Sequence, residues 1–65
     1  MRKITRKRLE RKSYEERIVW LAKQLDVSKE TVEDLVVAKR AKLSNLITKE
    51  ASLYLVAKSK NLIRD

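Results

Sequence analysis

Lysine and arginine side chains dominate the first twelve residues, which hold seven basic side chains and one acidic side chain, Glu10. The other residues carry ten basic and eight acidic side chains, so most of the net charge of +8 lies at the start of the chain. A block of like charge favours a polyanionic partner, because each cation that meets a phosphate releases counterions. We therefore predict phosphate binding by Arg2, Lys3, Arg6, Lys7, Arg8, Arg11 and Lys12.

This predicted contact with nucleic acid is independent of base sequence. Phosphate contacts position a protein but carry no sequence information, and the pattern does not distinguish DNA from RNA. The alternative is a solvated tail of the kind found in thermophilic proteins, whose composition is rich in Lys, Arg and Glu. Ile4 and Leu9 are too few for an amphipathic helix that binds membranes.

Enzymatic chemistry is not expected from this chain. It contains no His and no Cys, which removes the commonest general base and the thiolate nucleophile. It contains no Gly, which excludes a glycine-rich phosphate loop. The carboxylate pairs at 15–16 and 33–34 fall at the starts of predicted helices, where the helix dipole explains them. We predict no catalytic residue, no cofactor, no metal site and no small-molecule substrate.

Trp20 is the second candidate for a functional role. At about 100° per residue it falls on the polar side of its helix, near Arg17 and Lys23. One interpretation is a surface that stacks on a base or anchors a protein partner. The other is that the N-terminal segment, or the chain end near Leu62 and Ile63, folds over the indole.

Three helices are predicted to position these side chains, at about 14–25, 29–43 and 49–61. Their starts carry the hydroxyl N-caps Ser13, Ser28 and Thr48, and Ser13 with Glu16 forms a capping-box pattern. Because Gly is absent, turns that need a positive φ are expected at Asp26, Asn45 and Asn61. Apolar residues at helical spacing predict the inward faces of the first two helices. They are Tyr14, Ile18, Leu21, Ala22 and Leu25, then Val32, Leu35, Val36 and Leu43.

The third helix is apolar almost all the way round between Ala51 and Ala57, which is typical of a central helix covered by its neighbours. The predicted fold is therefore all-α, with a compact three-helix domain at 13–65. Leu62 and Ile63 are expected to close the chain against the first helix. A basic arm at 1–12 is expected to be partly disordered or to extend the first helix, and to be dispensable for folding.

No apolar run approaches the ~20 residues of a membrane span. The charged start is not followed by the apolar stretch of a signal peptide, so we expect a cytoplasmic protein.

Part of the chain resembles a known helical module. The residues that carry the resemblance are the run Leu25-Asp-Val-Ser-Lys-Glu-Thr-Val-Glu-Asp-Leu-Val, then Lys39 and Leu43, and then Leu46-Ile-Thr-Lys-Glu-Ala-Ser-Leu-Tyr-Leu-Val-Ala-Lys. That module precedes the OB-folds of archaeal single-stranded-DNA-binding proteins of the replication protein A type. The resemblance covers roughly residues 18–63 and implies a helical interaction module from archaeal information processing. The present 65 residues contain no OB-fold, and the basic segment lies outside the resemblance.

Together these features predict a small nucleic-acid-associated accessory protein of the archaeal DNA replication machinery. Its arm would contact phosphates and its helical body would bind a polymerase or a single-strand-binding assembly. One alternative is a small ribosomal protein whose arm binds rRNA. Another is a protein–protein adaptor whose arm meets an acidic surface. No membrane partner is expected.

Overall fold

The computed structural model describes residues 3–64, which form four helices and two short strands. The three long helices predicted from the sequence are confirmed, with ends within two residues of the expected ones. A short helix and a two-stranded parallel sheet, which the all-α prediction lacks, accompany them. The elements in chain order are β1 Ile4–Thr5, α1 Arg6–Glu10, α2 Tyr14–Leu25, α3 Lys29–Lys42, α4 Lys49–Ser59 and β2 Ile63–Arg64.

Hydroxyl side chains begin each long helix, as the sequence predicts. The Ser13 hydroxyl accepts the Glu16 amide at 3.2 Å, and the Glu16 carboxylate accepts the Ser13 amide at 2.9 Å, which completes the capping box. Ser28 and Thr48 cap α3 and α4 in the same way, by accepting the amides of Thr31 and Ala51. These bonds satisfy amides that have no partner within the helix.

Left-handed backbone conformations close the helices at Asp26, Asn45 and Asn61, the positions expected in a chain without glycine. Ser44 adopts the same conformation, with φ of 57°. Asn and Asp tolerate this region better than other side chains, because their short polar groups bond locally. The turns therefore follow from the sequence at three positions, and Ser44 is an addition.

Helix α4 packs against both α2 and α3, in agreement with its predicted central place. Leu53, Val56 and Ala57 are buried in the core. Ser52 is also fully buried, and its hydroxyl donates to the Thr48 carbonyl oxygen at 2.9 Å, so this polar group is satisfied. On the predicted inward face of α2, Ile18, Leu21 and Ala22 are buried, whereas Tyr14 and Leu25 are only partly buried against the core. Of the face predicted for α3, Val32 and Val36 are buried, and Leu43, just after the helix, remains 39% exposed.

The expectation of a partly disordered or helix-extending arm is wrong for the described residues. Strand β1 pairs in parallel with β2, with Ile4 opposite Ile63, and the Ile4 amide donates to the Leu62 carbonyl at 2.9 Å. Leu9 on α1 is 2% exposed and belongs to the main core. Two apolar side chains are too few for a membrane helix, yet they suffice to anchor the segment. The core therefore includes residues on both sides of the predicted boundary at 12–13.

Leu62 and Ile63 are buried, as expected for residues that close the chain. Their backbone pairing was not expected, because it is made with the N-terminal segment. The capping box at Ser13 also starts α2 as a new helix, so α1 remains a separate short helix. Residues 3–12 are therefore part of the folded unit, and their removal is expected to destabilise it.

Leu9→Ala tests this docking, and Leu46→Ala is its matched control because Leu46 is 86% exposed. Deleting a buried Leu side chain costs about 2–5 kcal/mol of unfolding free energy. We expect Leu9→Ala to lose that much in urea denaturation followed by circular dichroism, and Leu46→Ala to change by about 0.5 kcal/mol or less. Equal stabilities for the two variants would show that α1 does not contribute to the core.

The capping box predicts a dependence of stability on pH. The hydrogen bond from the Ser13 amide lowers the pKa of the Glu16 carboxyl below its ordinary value of 4.5. Because the folded-state pKa is lowered, the stabilisation is complete above that value and is lost as the pH falls below it. Glu16→Gln keeps an acceptor that does not titrate. We expect its melting temperature to fall less than that of the wild type between pH about 7 and about 3. Identical losses would contradict this role.

Candidate nucleic-acid interface

Most of the cations predicted to bind phosphate are on the protein surface. Lys3, Arg6, Lys7, Arg8 and Arg11 are exposed, although the backbone that carries them is folded. Lys12 is half-buried and lines a groove together with Trp20. Arg2 lies outside the described residues.

The pairing of the two strands brings further cations to this segment. Thr5 lies opposite Arg64 in the sheet, and Arg64 is exposed. Lys58 and Arg6, which are far apart in sequence, both approach the ring of Tyr54. Lys60 follows at the end of α4 and is exposed. We call the combined set the terminal basic region: Lys3, Arg6, Lys7, Arg8, Arg11, Lys58, Lys60 and Arg64.

The terminal basic region concentrates the net charge of the molecule. Its segments contain eight cations and, among the described residues, a single carboxylate, Glu10. The other described residues carry eight cations and seven carboxylates, so they are close to neutral. Glu10 pairs with Arg6 at 2.8 Å, but both side chains are more than half exposed, so the pair is screened and weak. The region therefore remains strongly attractive to polyanions.

Tyr54 is the aromatic residue within this region. The guanidinium carbon of Arg6 lies 5.2 Å from the ring centroid, and the Lys58 ammonium lies 5.9 Å from it. Both distances fall in the range of cation–π attraction. A cavity of about 240 Å³ adjoins the ring and is bounded by residues of α1, α2 and α4.

Arg17 does not join the surface around Trp20 that the sequence suggested. Its guanidinium donates to the carbonyl oxygens of Lys12 at 3.1 Å and Glu10 at 3.0 Å. These carbonyls lie at the end of α1 and in the following turn, where no intrahelical donor remains. Arg17 therefore clamps α1 to α2. This role of Arg17 was not predicted, because the sequence does not show which backbone carbonyl groups lie within hydrogen-bonding distance of its guanidinium.

Trp20 is half-buried and packs against the core, although its helical position suggested the opposite side. Its remaining surface lines a shallow groove of about 340 Å³, which also includes Lys23 and Lys12. Glu15 and Glu16 line the same groove and balance the two lysines. Trp20 and Lys23 are thus brought together, in a setting without the charge excess of the terminal basic region.

Tyr14 lies in a third environment, at the start of α2. The Lys49 ammonium lies 4.5 Å from its ring centroid. Burial raises the pKa of the Tyr14 hydroxyl, and the carboxylates of Glu33 and Glu50 raise it further. One carboxylate oxygen of Glu50 is buried without a hydrogen-bond partner among the described residues.

Within residues 3–64, no group of three acidic side chains is placed to hold a metal ion. No helix in the same range has the length and apolar character needed to cross a membrane. Comparisons with protein-family models, with curated proteins and with solved structures found no match to this chain.

Proposed function

We propose that this protein is a nucleic-acid-associated accessory protein whose terminal basic region contacts phosphates while its helical body binds a protein partner. The observation that carries the proposal is the unequal charge of the surface. The terminal basic region holds eight cations and, among the described residues, one carboxylate. The other described residues are nearly neutral in total charge. Solubility alone does not require cations to be concentrated in this way.

The folded state of the segment affects how it would bind. Ile4 and Leu9 fix the backbone against the core, so the cations need no large ordering of the chain when they meet a phosphate. Binding still reduces the conformational entropy of the side chains, but the larger loss of backbone entropy has already occurred during folding. Binding would release counterions and depend steeply on salt concentration.

The protein partner is inferred from the resemblance of residues 18–63 to the helical module of archaeal replication proteins. The resemblance supports a polymerase or a single-strand-binding assembly as the partner. The groove beside Trp20 is the candidate contact, because it combines a half-exposed indole with charges of both signs. Tryptophan is among the residues that contribute most to protein interfaces.

Removing the C-terminal cations tests the phosphate contact. The triple variant Lys58→Gln, Lys60→Gln and Arg64→Gln is compared with Lys23→Gln, Lys29→Gln and Lys42→Gln. The second set also removes three exposed cations, but from outside the terminal basic region. We measure oligonucleotide affinity against salt concentration. Each lost contact should lower the slope by about 0.7–0.9, so the first variant should lose about 2–3 and the control much less. Equal slopes for the two triple variants would show that the net charge of the protein, and not the terminal basic region, determines the salt dependence of binding.

Capture of partners from archaeal cells, with and without nuclease, tests the proposed protein contact. We expect a replication protein to remain bound after nuclease treatment and to be lost with Trp20→Phe and Lys23→Glu together. Phe retains most of the packing against the core, and circular dichroism checks the fold. Recovery of ribosomal subunits would favour rRNA binding over the proposal. A partner that is retained by the double variant would place the contact elsewhere.

A further inference from the structure

Tyr54 differs from the other aromatic residues in what surrounds it. Its ring is half-buried on α4 and is approached by a cation from each end of the chain, Arg6 at 5.2 Å and Lys58 at 5.9 Å. The chain has only two other aromatic residues, Tyr14 and Trp20. Trp20 lies outside the terminal basic region, in a groove whose two lysines are balanced by Glu15 and Glu16. The ring of Tyr14 is approached by Lys49, which also lies outside that region.

The cavity beside Tyr54 is the second observation. Its volume of about 240 Å³ suits one planar heterocycle and is small for a larger ligand. Ala51 and Leu9 contribute apolar surface to its lining, Arg6 and Arg17 contribute cations, and Glu10 and Glu50 contribute carboxylates. The excess of positive charge beside the ring therefore comes from Lys58 and the surrounding terminal basic region. An aromatic wall, apolar surface and neighbouring cations are the features that bind a base together with its phosphate.

We propose that the Tyr54 cavity receives an unstacked base of a single-stranded nucleic acid, with the adjoining phosphates on Lys58 and Arg6. The proposal rests on the function proposed above and names the form of nucleic acid that is bound. In a duplex the base faces are covered by their neighbours, so a ring on the protein surface cannot stack on them without unpairing. In a single strand each base has a free face, and stacking tolerates any sequence.

Arg6 gives the site a second stacking surface. Its guanidinium is planar and lies near the Tyr54 ring, and its Nε donates to the Glu10 carboxylate at 2.8 Å. A planar guanidinium stacks on aromatic rings and on bases alike. A base can therefore stack on the outer side of Arg6, or replace it on the ring while Arg6 moves to a phosphate. In both arrangements Tyr54 and Arg6 act together, and Lys58 supplies the second charge.

The test compares two strands that have the same phosphates but differ in their bases. One is a short thymidine oligonucleotide and the other is an abasic strand of equal length. The variant is Tyr54→Leu, which keeps apolar volume against the core and removes the ring. Its matched control is Tyr14→Leu, because Tyr14 is also half-buried with a lysine over its ring. Circular dichroism confirms that both variants fold.

We expect the wild type to bind the thymidine strand roughly tenfold more tightly than the abasic strand, as base stacking predicts. Tyr54→Leu should abolish this preference, so that its affinities for the two strands become equal, whereas Tyr14→Leu should keep the preference. If Tyr54→Leu does not fold, nuclear magnetic resonance of the wild type gives the answer. The Tyr54 ring signals should then shift with the thymidine strand and not with the abasic strand.

The possible failures of the two proposals are distinguishable. Equal binding of the two strands, with unchanged Tyr54 signals, would overturn the base contact and leave phosphate binding intact. Quenching of the single Trp fluorescence by the thymidine strand alone would also overturn it, because the base would then reach Trp20. If neither strand binds at low salt, the nucleic-acid function itself fails.

Discussion

The pairing of β1 with β2 is the contact on which the rest of the arrangement depends. It is short, with Ile4 opposite Ile63 and Thr5 opposite Arg64, yet it connects the two ends of the described chain. Burial of Ile4 and Leu9 supports the pairing from the side of the core, and the Arg17 clamp fixes α1 against α2. Without these contacts the N-terminal cations would be carried on a loose segment, separate from those of α4 and β2.

The three long helices were predictable because their signals are local. A hydroxyl N-cap, a capping box and an Asn or Asp at the helix end lie within a few residues of the structure that they specify. The parallel pairing had no such signal, since a two-residue strand shows no periodicity and its partner lies almost sixty residues away. The N-terminal segment was expected to be partly disordered because its like charges repel one another. It is folded instead, because its two apolar residues, Ile4 and Leu9, are buried in the core.

The candidate site was predictable in part for the same reason. A count of Lys and Arg identifies the N-terminal cations, and the structure keeps the described ones on the surface except for the half-buried Lys12. The residue count does not identify Lys58, Lys60 and Arg64 as neighbours of the N-terminal cations, because their proximity depends on strand pairing. Tyr54 appeared to be an ordinary core residue of an apolar helix. Its position between Arg6 and Lys58 emerges only when both ends of the chain are assembled.

The parallel sheet also has a consequence for biosynthesis. Ile4 emerges from the ribosome nearly sixty residues before its partner Ile63. Closing so long a loop is entropically costly and slow compared with forming helices. During translation the early cations would therefore travel on an undocked segment next to a highly anionic ribosome. The cations can join a defined surface only after Ile63 has been synthesised, so docking of α1 is expected to be a late event in folding.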